Sequence, residues 1–513
     1  MKAIRLLRVM AAIGLLTPRA LLRLAAALLT HGVNLMTLLN FSARTYGERT
    51  ALTDERETLT YDEWYRQSEQ LSQELRARYG LGKGSKVGLM GKNHASLAKA
   101  LFAVSSTGAD LYLLNAEMSP RQLTDLLGSR ELDLLIHDEE QEALIGLSSY
   151  RGSRLLNYHE TLPAVNRLAA AASPMRTKSF KSSTGKLILL TGGTTGKAKE
   201  APHRPSLFAY LAPFEALLSR LKLADRHTAY VATPLYHGYG LAVLLLFCAL
   251  GKKVLLRRGF EAEAACRLIR DHQADAVSVV PLMLRRMLQA DPEALKSLRC
   301  VASGGAELSP KLAEETRRRL GNVLYNLYGT SEAGLAVIAT PQDLERSPGT
   351  IGRAMEGVGL TVLTDASTEA APGAAGRLCV RSPRSGRRGE PRWIETGDWG
   401  WRDEEGRYFL SGRTDSMIVS GGENVYPFEV EQVLLAHPQV EDAAVAGMMD
   451  ELYGQRLKAY VQLVPGGRLS AEELKEWLRS RLARYQQPKE IVFVRRLPYT
   501  PLGKLDRKRL TQQ

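Results

Sequence analysis

The chemistry of this chain is concentrated first in Thr191-Gly192-Gly193-Thr194-Thr195-Gly196-Lys197-Ala198-Lys199, which follows the apolar run Leu187-Ile188-Leu189-Leu190. Glycines let a backbone turn tightly and bring its N–H groups close to an anion. Threonine hydroxyls add donors and lysines add positive charge, so the loop suits a polyphosphate. It is not a Walker loop. That pattern needs glycine where Thr191 stands, and Ser or Thr where Ala198 follows Gly196-Lys197.

Further stretches hold complementary groups. Thr233-Pro234-Leu235-Tyr236-His237-Gly238-Tyr239-Gly240 places a histidine after a strand. Ala302-Ser303-Gly304-Gly305-Ala306-Glu307 ends another strand in small residues. Asn326-Leu327-Tyr328-Gly329-Thr330-Ser331-Glu332 gathers amide, phenol, hydroxyls and carboxylate. Thr396-Gly397-Asp398 sets a carboxylate in a turn, and Ser411-Gly412-Arg413-Thr414-Asp415 leads into Ser420-Gly421-Gly422-Glu423-Asn424-Val425-Tyr426-Pro427. Pro501-Leu502-Gly503-Lys504-Leu505-Asp506 puts a lysine in a loop near the C-terminus. Singly, each has a plain structural reading: Glu332 as a surface carboxylate, His237 as a packed histidine, Lys504 as a solvated charge. Two familiar patterns are excluded. Ala333 breaks the Gly-x-Ser-x-Gly elbow after Ser331, and Gly238-Tyr239-Gly240 lacks the third glycine of a dinucleotide fingerprint.

In this order and at these separations the motifs resemble the adenylate-forming superfamily of acyl-CoA synthetases, luciferases and peptide-synthetase adenylation domains, from about Leu59 to Leu510. The resemblance implies a role for each residue. Thr191, Gly192, Gly193, Thr194, Thr195, Gly196, Lys197 and Lys199 would wrap the β- and γ-phosphates of ATP. Gly304, Gly305 and Ala306 would leave room for nucleotide and acyl group. Tyr328 would stack on adenine, Asn326 would bond its amino group, and Gly329 belongs to the same motif. Thr330 would contact the α-phosphate and Glu332 would hold Mg²⁺, a hard cation suited to carboxylate and phosphate oxygen. Asp398 would take the ribose hydroxyls, with Arg413 supporting ribose or phosphate. His237, Gly240, Gly304 and Gly334 would shape the acyl pocket. Lys504 would offset the charge that builds between the attacking carboxylate and the α-phosphate. The loop departs from the family pattern at Gly192, Ala198 and Glu200, which removes a hydroxyl, frees the backbone and adds a carboxylate.

The implied reaction is a two-step ligation of a small carboxylic acid using ATP, Mg²⁺ and coenzyme A. Acyl-AMP and pyrophosphate form first. The C-terminal module then turns about a hinge at Asp415 and presents Gly421, Gly422 and Glu423 to the thiol. Gly-Gly-Glu-Asn-x-x-Pro looks like the CoA-ligase form of that strand. The leucines of 241–246 and the Leu-rich N-terminus point to an apolar, medium- or long-chain fatty acid. The alternatives are an adenylation enzyme that loads a carrier protein, and a nucleotide-binding homologue with weak activity.

These residues need strands and helices to hold them. Thr58–Trp64 reads as a strand feeding a helix, and short strands are expected at 86–90, 111–114, 132–137, 229–233, 253–256, 276–280 and 298–303. Helical patterns lie between them, which is the α/β signature with a mostly parallel sheet. The apolar run Leu241–Leu250 is too short to span a bilayer and reads as a buried helix. After Gly357 short alternating strands point to a small β-rich subdomain, with a mobile Gly/Arg/Pro loop between Ser382 and Arg392. From about Ser416 a compact α+β module follows. Pro427 opens one helix, and Ser470 with Glu473 caps another. The expected architecture is an α/β protein: a large N-terminal domain of parallel-rich sheets and helices with the β-rich subdomain, plus a mobile α+β C-terminal domain. The expected divisions are an N-terminal extension (1–45), an AMP-binding domain (46–413) and a mobile C-terminal domain (414–513).

At 513 residues the chain is too long for one core. Its net charge of +14 is scattered rather than massed, which argues against a nucleic-acid stripe. Cys248, Cys266, Cys300 and Cys379 show no ligand spacing and read as buried apolar residues in a reducing, cytoplasmic setting. Met1–Leu29 is rich in Leu and Ala, with Arg5, Arg8, Arg19 and Arg23 interspersed. The arginines argue against a membrane span. They leave two readings, an amphipathic helix on the inner membrane surface or one packed on its own domain.

Overall fold

The computed structural model describes residues 9–11, 14–171, 185–192, 198–203, 211–330, 334–381, 393–420, 423–450, 454–500 and 503–510. In 190–192, 198–203 and 211–213 the description is of the backbone alone. The chain divides into two compact units, Met1–Val279 with Arg286–Ala302, and Val280–Arg285 with Ser303–Gln513.

The first unit carries the parallel sheets expected of an α/β protein. Ser153–Leu156, Leu134–His137, Lys86–Met90, Asp110–Leu114 and Leu187–Gly192 lie parallel in that order. Ala198–His203 closes the edge antiparallel. Strands covered by helices on both faces read as continuous apolar runs, and every residue of Leu134–His137 is buried. In a second sheet Ala276–Val279, Thr228–Val231, Lys253–Leu255 and Thr50–Thr53 run parallel, with Thr58–Thr60 antiparallel beside the last.

Helices are fixed by caps and by aromatic packing. Thr58–Thr60 feeds the helix Tyr61–Tyr79, where Thr60 and Glu63 form a capping box that satisfies donors of the first turn. Trp64, fully buried, meets Phe102 of the helix Ala95–Thr107 edge-on, with ring centroids 5.0 Å apart. His94 caps that second helix: its Nδ1 accepts from the Leu97 N–H, and its Nε2 lies 2.8 Å from Asp138 Oδ1. The apolar run expected as a buried helix is Gly238–Ala249, with Leu241, Leu244 and Leu246 all buried.

Near the N-terminus, Pro18–His31 is a helix whose first turn is capped by the Thr17 hydroxyl. Ala20 and Ala27 pack with Leu15 and Phe41, so the helix rests on its own unit. Leu22 and Leu29 face outward, 71% and 65% exposed. No helix among the described residues is long and apolar enough to cross a membrane.

In the second unit the strands Gly359–Leu363, Gly376–Arg381, Trp393–Arg402, Tyr408–Arg413, Thr350–Ala354, Gly334–Ala339 and Leu324–Thr330 lie side by side, antiparallel at each junction. Val337, Ile351, Val362, Leu378, Val380 and Tyr408 form the core beneath them. The C-terminal module is built on the antiparallel pair Val440–Asp450 and Gly454–Leu463. The helices Pro427–Leu435 and Ala471–Arg479 cover one face through Val430, Leu434, Leu474 and Leu478. Each such fully buried leucine stabilises the module by ~1.5–3 kcal/mol. Ser470 and Glu473 form the expected capping box. On the opposite face Ala444, Tyr460, Leu497 and Leu510 form a second cluster, and Tyr499 and Leu505 pack against it.

Candidate active site

In the first unit the two strands that flank the phosphate loop pair antiparallel. Leu187–Gly192 pairs with Ala198–His203, with Thr191 opposite Lys199, Gly192 opposite Ala198 and Leu190 opposite Glu200. Ala198, Lys199 and Glu200 are therefore strand residues rather than loop residues. Gly193, Thr194, Thr195, Gly196 and Lys197 lie outside the described residues. His237 is the residue before the helix Gly238–Ala249 and is half-buried, its ring 4.6 Å from that of Tyr236. Gly240 has a packing reason of its own. A Cβ there would stand 2.4 Å from the Pro234 carbonyl oxygen and 2.6 Å from that of Thr233, so only glycine lets the first turn lie against the preceding loop.

In the second unit three side chains from different strands converge. Tyr328 lies on Leu324–Thr330, Asp398 on Trp393–Arg402 and Arg413 on Tyr408–Arg413, where the register sets Asp398 opposite Arg413. The Tyr328 hydroxyl donates to Asp398 Oδ2 at 2.5 Å, and Arg413 Nη1 donates to Oδ1 at 3.3 Å. Burial and the neighbouring Asp398 charge push the Tyr328 phenol well above its ordinary value, so it stays a donor. Gly397 makes the approach possible. Its φ is +79°, and an added Cβ would lie 3.0 Å from Arg413 Nη2. The Asp398 N–H donates to Thr396 Oγ1 at 3.1 Å, and that hydroxyl donates to Leu378 O. The carboxylate is thus aimed by its own turn.

Asn326, buried on the same strand as Tyr328, donates from Nδ2 to Thr350 O at 3.3 Å. Gly329 faces Leu335, and Thr330 faces Gly334, where the hairpin turns back with Gly334 at φ +74°. Glu332 lies outside the described residues, as do Gly421 and Gly422. Gly304 is the buried end of the strand Cys300–Gly304. Gly305 follows at φ +81°, and Ala306 is half-buried. Asp415 sits in the 3₁₀ turn Thr414–Ser416, and Glu423 begins a strand opposite Ser420.

Lys504 is exposed on a turn whose backbone is tied down. Thr500 N–H donates to Lys504 O at 2.7 Å, Gly503 N–H donates to Thr500 O at 2.8 Å, and Tyr499 bridges Leu505. This turn reaches the glycine pair through one side chain. A Cβ on Gly503 would meet Val280 Cγ2 at 2.6 Å, and one on Gly305 would meet Val280 Cγ1 at 3.7 Å. Two anchoring residues escape sequence reasoning. Asp442 and Arg285 are paired at 2.8 Å, and Tyr499 donates to the same carboxylate oxygen at 2.7 Å. Separately each reads as a routine charge; only Tyr499, beside the Lys504 turn, carried a local signal.

Residues 39–387 match the family model of the AMP-binding enzymes, and 429–504 match that of the AMP-binding enzyme C-terminal domain. The chain is 30% identical over 476 residues to the 2-succinylbenzoate–CoA ligase of Bacillus licheniformis, covering 90% of this chain and 96% of that protein. It is 30% identical over 493 residues to the indoleacetate–CoA ligase of Aromatoleum aromaticum, covering 89% and 93%. Among solved structures it is similar to the amide bond synthetase McbA from Marinactinospora thermotolerans, with TM-score 0.80, 26% identity, and 93% and 99% coverage. It is also similar to the o-succinylbenzoate CoA synthetase of Bacillus subtilis in complex with ATP and magnesium, with TM-score 0.77, 27% identity, and 92% and 99% coverage. By these matches along nearly its whole length, the chain belongs to the AMP-binding enzymes, the adenylate-forming acid–thiol ligases that work with ATP, Mg²⁺ and coenzyme A.

Proposed function

We propose that this enzyme activates an aromatic carboxylic acid as its acyl adenylate and transfers the acyl group to coenzyme A. The observation that carries the reading is the pair of arrangements in the second unit. Tyr328, Asp398 and Arg413 form a clamp suited to adenine and ribose, and the Lys504 turn meets the Gly304-Gly305 end across Val280. Asp398 would accept from the ribose hydroxyls, Tyr328 would carry the base, and Lys504 would offset the charge that grows on the α-phosphate as the carboxylate attacks. Thr191, Lys199 and the loop they flank would hold the outer phosphates, with Thr330 on the α-phosphate. Mg²⁺ is held in such sites mainly by nucleotide phosphates with one or two carboxylates, so Glu332 alone fits it. Among the described residues no three His, Cys, Asp or Glu gather as a metal cage, and this mode of binding needs none. The metal would neutralise phosphate charge. For transfer to the thiol, residues 414–513 would turn about Asp415 to present Gly421, Gly422 and Glu423.

The acid is argued from two sides. The matched ligases are named for 2-succinylbenzoate and indoleacetate, both aromatic. The fatty-acid expectation drew on the leucines of 241–246, yet Leu241, Leu244 and Leu246 are buried in helix packing. Four free, buried cysteines suit a reducing, cytoplasmic setting.

The test is acid-dependent pyrophosphate release with ATP and Mg²⁺, over a panel of 2-succinylbenzoate, indoleacetate, benzoate and fatty acids of graded length. Coenzyme A, a pantetheinylated carrier protein or an amine is then added as acceptor. Aromatic acids should lead fatty acids at least about tenfold in kcat/KM, within what pocket shape can discriminate, and a CoA thioester should form. A fatty acid in first place would refute the substrate class, and transfer only to carrier or amine would refute the acceptor.

A further inference from the structure

Asp442 lies at the start of the long strand Val440–Asp450 and is 4% exposed. Its Oδ2 takes two strong donors, Arg285 Nη1 at 2.8 Å and the Tyr499 hydroxyl at 2.7 Å, while Oδ1 accepts from the Ala443 N–H at 3.0 Å. Arg285 stands on the helix Pro281–Ala290, which begins directly after Val280. Tyr499 opens the turn that carries Lys504 and bridges Leu505, the residue after it. A single carboxylate oxygen therefore ties the foot of the lysine turn to the helix beside which that turn lies. Burial and the Asp442 charge push the Tyr499 phenol well above its ordinary value, so it keeps its proton and donates. Two further bonds cross at the same level: Lys311 Nζ donates to Val440 O at 2.7 Å, and Gln432 Nε2 donates to Glu307 Oε1 at 2.8 Å.

We propose that Asp442, held by Arg285 and bonded to Tyr499, is a positioning residue for Lys504 that sets the rate of acyl-adenylate formation without touching the substrate. The inference rests on the adenylating role given to Lys504 above. Charge-assisted bonds to a buried carboxylate are directional and short, so this one can fix the turn to within the fraction of an ångström that a transition-state contact needs. The carboxylate is bonded from the Lys504 turn and from the helix after Val280, and it serves the arrangement in which Gly503 lies on Val280. An acyl adenylate already made does not need Lys504. Its conversion to thioester should be indifferent to the contact, or faster once it is loosened.

Two conservative variants test this in the full chain. Tyr499→Phe removes one hydroxyl, and Arg285→Met removes the cation while keeping the stem; Asp442→Ala risks the fold and is not relied on. Formation of acyl-AMP is followed by pyrophosphate release without CoA, and the second step by thioester formation from supplied acyl-AMP and CoA. Each variant should lower kcat of the first step about tenfold, the scale of a small misplacement of a catalytic group. KM for ATP and the rate of the second step should be unchanged or, for the latter, raised. In a Lys504→Ala background Tyr499→Phe should cost nothing more, because its effect passes through the lysine. Equal losses in both steps, a first step that does not change, or a full further loss in the Lys504→Ala background would each overturn the proposal. If the wild-type enzyme released no acid-dependent pyrophosphate, the adenylating reading itself would fall instead.

Discussion

The proposed nucleotide clamp and the Lys504 turn are organised in opposite ways within one unit. In the clamp, the three side chains are already engaged with one another. Tyr328 and Arg413 both bond Asp398, the Asp398 turn is braced by Thr396, and Gly397 yields the space that lets them meet. At the turn the backbone is bound at Thr500, Gly503 and Lys504, yet the lysine itself is exposed. Binding groups gain from being organised beforehand, since their ordering entropy is spent in folding rather than on the ligand. A catalytic cation gains from the reverse. A lysine already paired would have to break that pair at the moment charge develops; the fixed backbone and exposed side chain of Lys504 suit the role proposed for it.

This contrast can be broken at three points. The largest effect belongs to Lys504→Ala. Acyl-AMP formation should fall by about 10²–10³, the scale of losing one preorganised transition-state donor. KM for ATP and thioester formation from supplied acyl-AMP should hold. Pyrophosphate-exchange kinetics check this, and a preserved exchange rate would remove Lys504 from the chemistry. Next is Asp398→Ala, which leaves Tyr328 and Arg413 without their shared partner. The expected outcome is the mirror image: KM for ATP rises by about tenfold or more, in line with ~1.5–3 kcal/mol for a hydrogen bond to a charged group, while kcat changes less. A loss in kcat alone would show that the clamp is not a binding device. The smallest effect is Tyr328→Phe, which should weaken AMP binding about fivefold by calorimetry, for one hydrogen bond of ~1 kcal/mol. The pH sign follows from the raised phenol. Tyr328 contributes fully below the ordinary tyrosine value near 10 and is lost only as pH climbs past its own higher one. AMP affinity of the wild type should therefore stay level from pH 7 to pH 9.5, and a fall starting near pH 8 would contradict the assignment.

The geometry of the candidate site was legible in the sequence where chemistry and backbone share one short segment. Asn326, Tyr328 and Thr330 alternate along one strand, so a single motif names them, and Asp398 and Arg413 come together because their strands pair at those positions. The capping pair Ser470 and Glu473 was legible for the same reason, since both partners lie within one turn. The Asp442–Arg285 contact was not, because 157 residues separate its members and neither has a local pattern. The sequence places Ala198–Glu200 in the loop, since Ala-Lys-Glu favours no strand, yet they belong to the strand Ala198–His203. That strand forms by pairing with Leu187–Gly192, at a sheet edge where Pro202 is tolerated. The Leu-rich helices are ambiguous in a different way. Leucine marks burial against protein as readily as contact with an acyl chain, and in Gly238–Ala249 it marks burial.

The four cysteines have a practical consequence. All are buried, and burial pushes the thiols of Cys248 and Cys300 up to about 12 and that of Cys266 to about 11, with Cys379 raised as well. A maleimide reacts with thiolate, so the native enzyme should react little with such dyes at neutral pH. One cysteine introduced on the exposed helix surface at Glu472 and another at Arg318 would then take fluorophores without background. The distance between the dyes would report, molecule by molecule, where the C-terminal module stands as ATP, acid and CoA are added in turn.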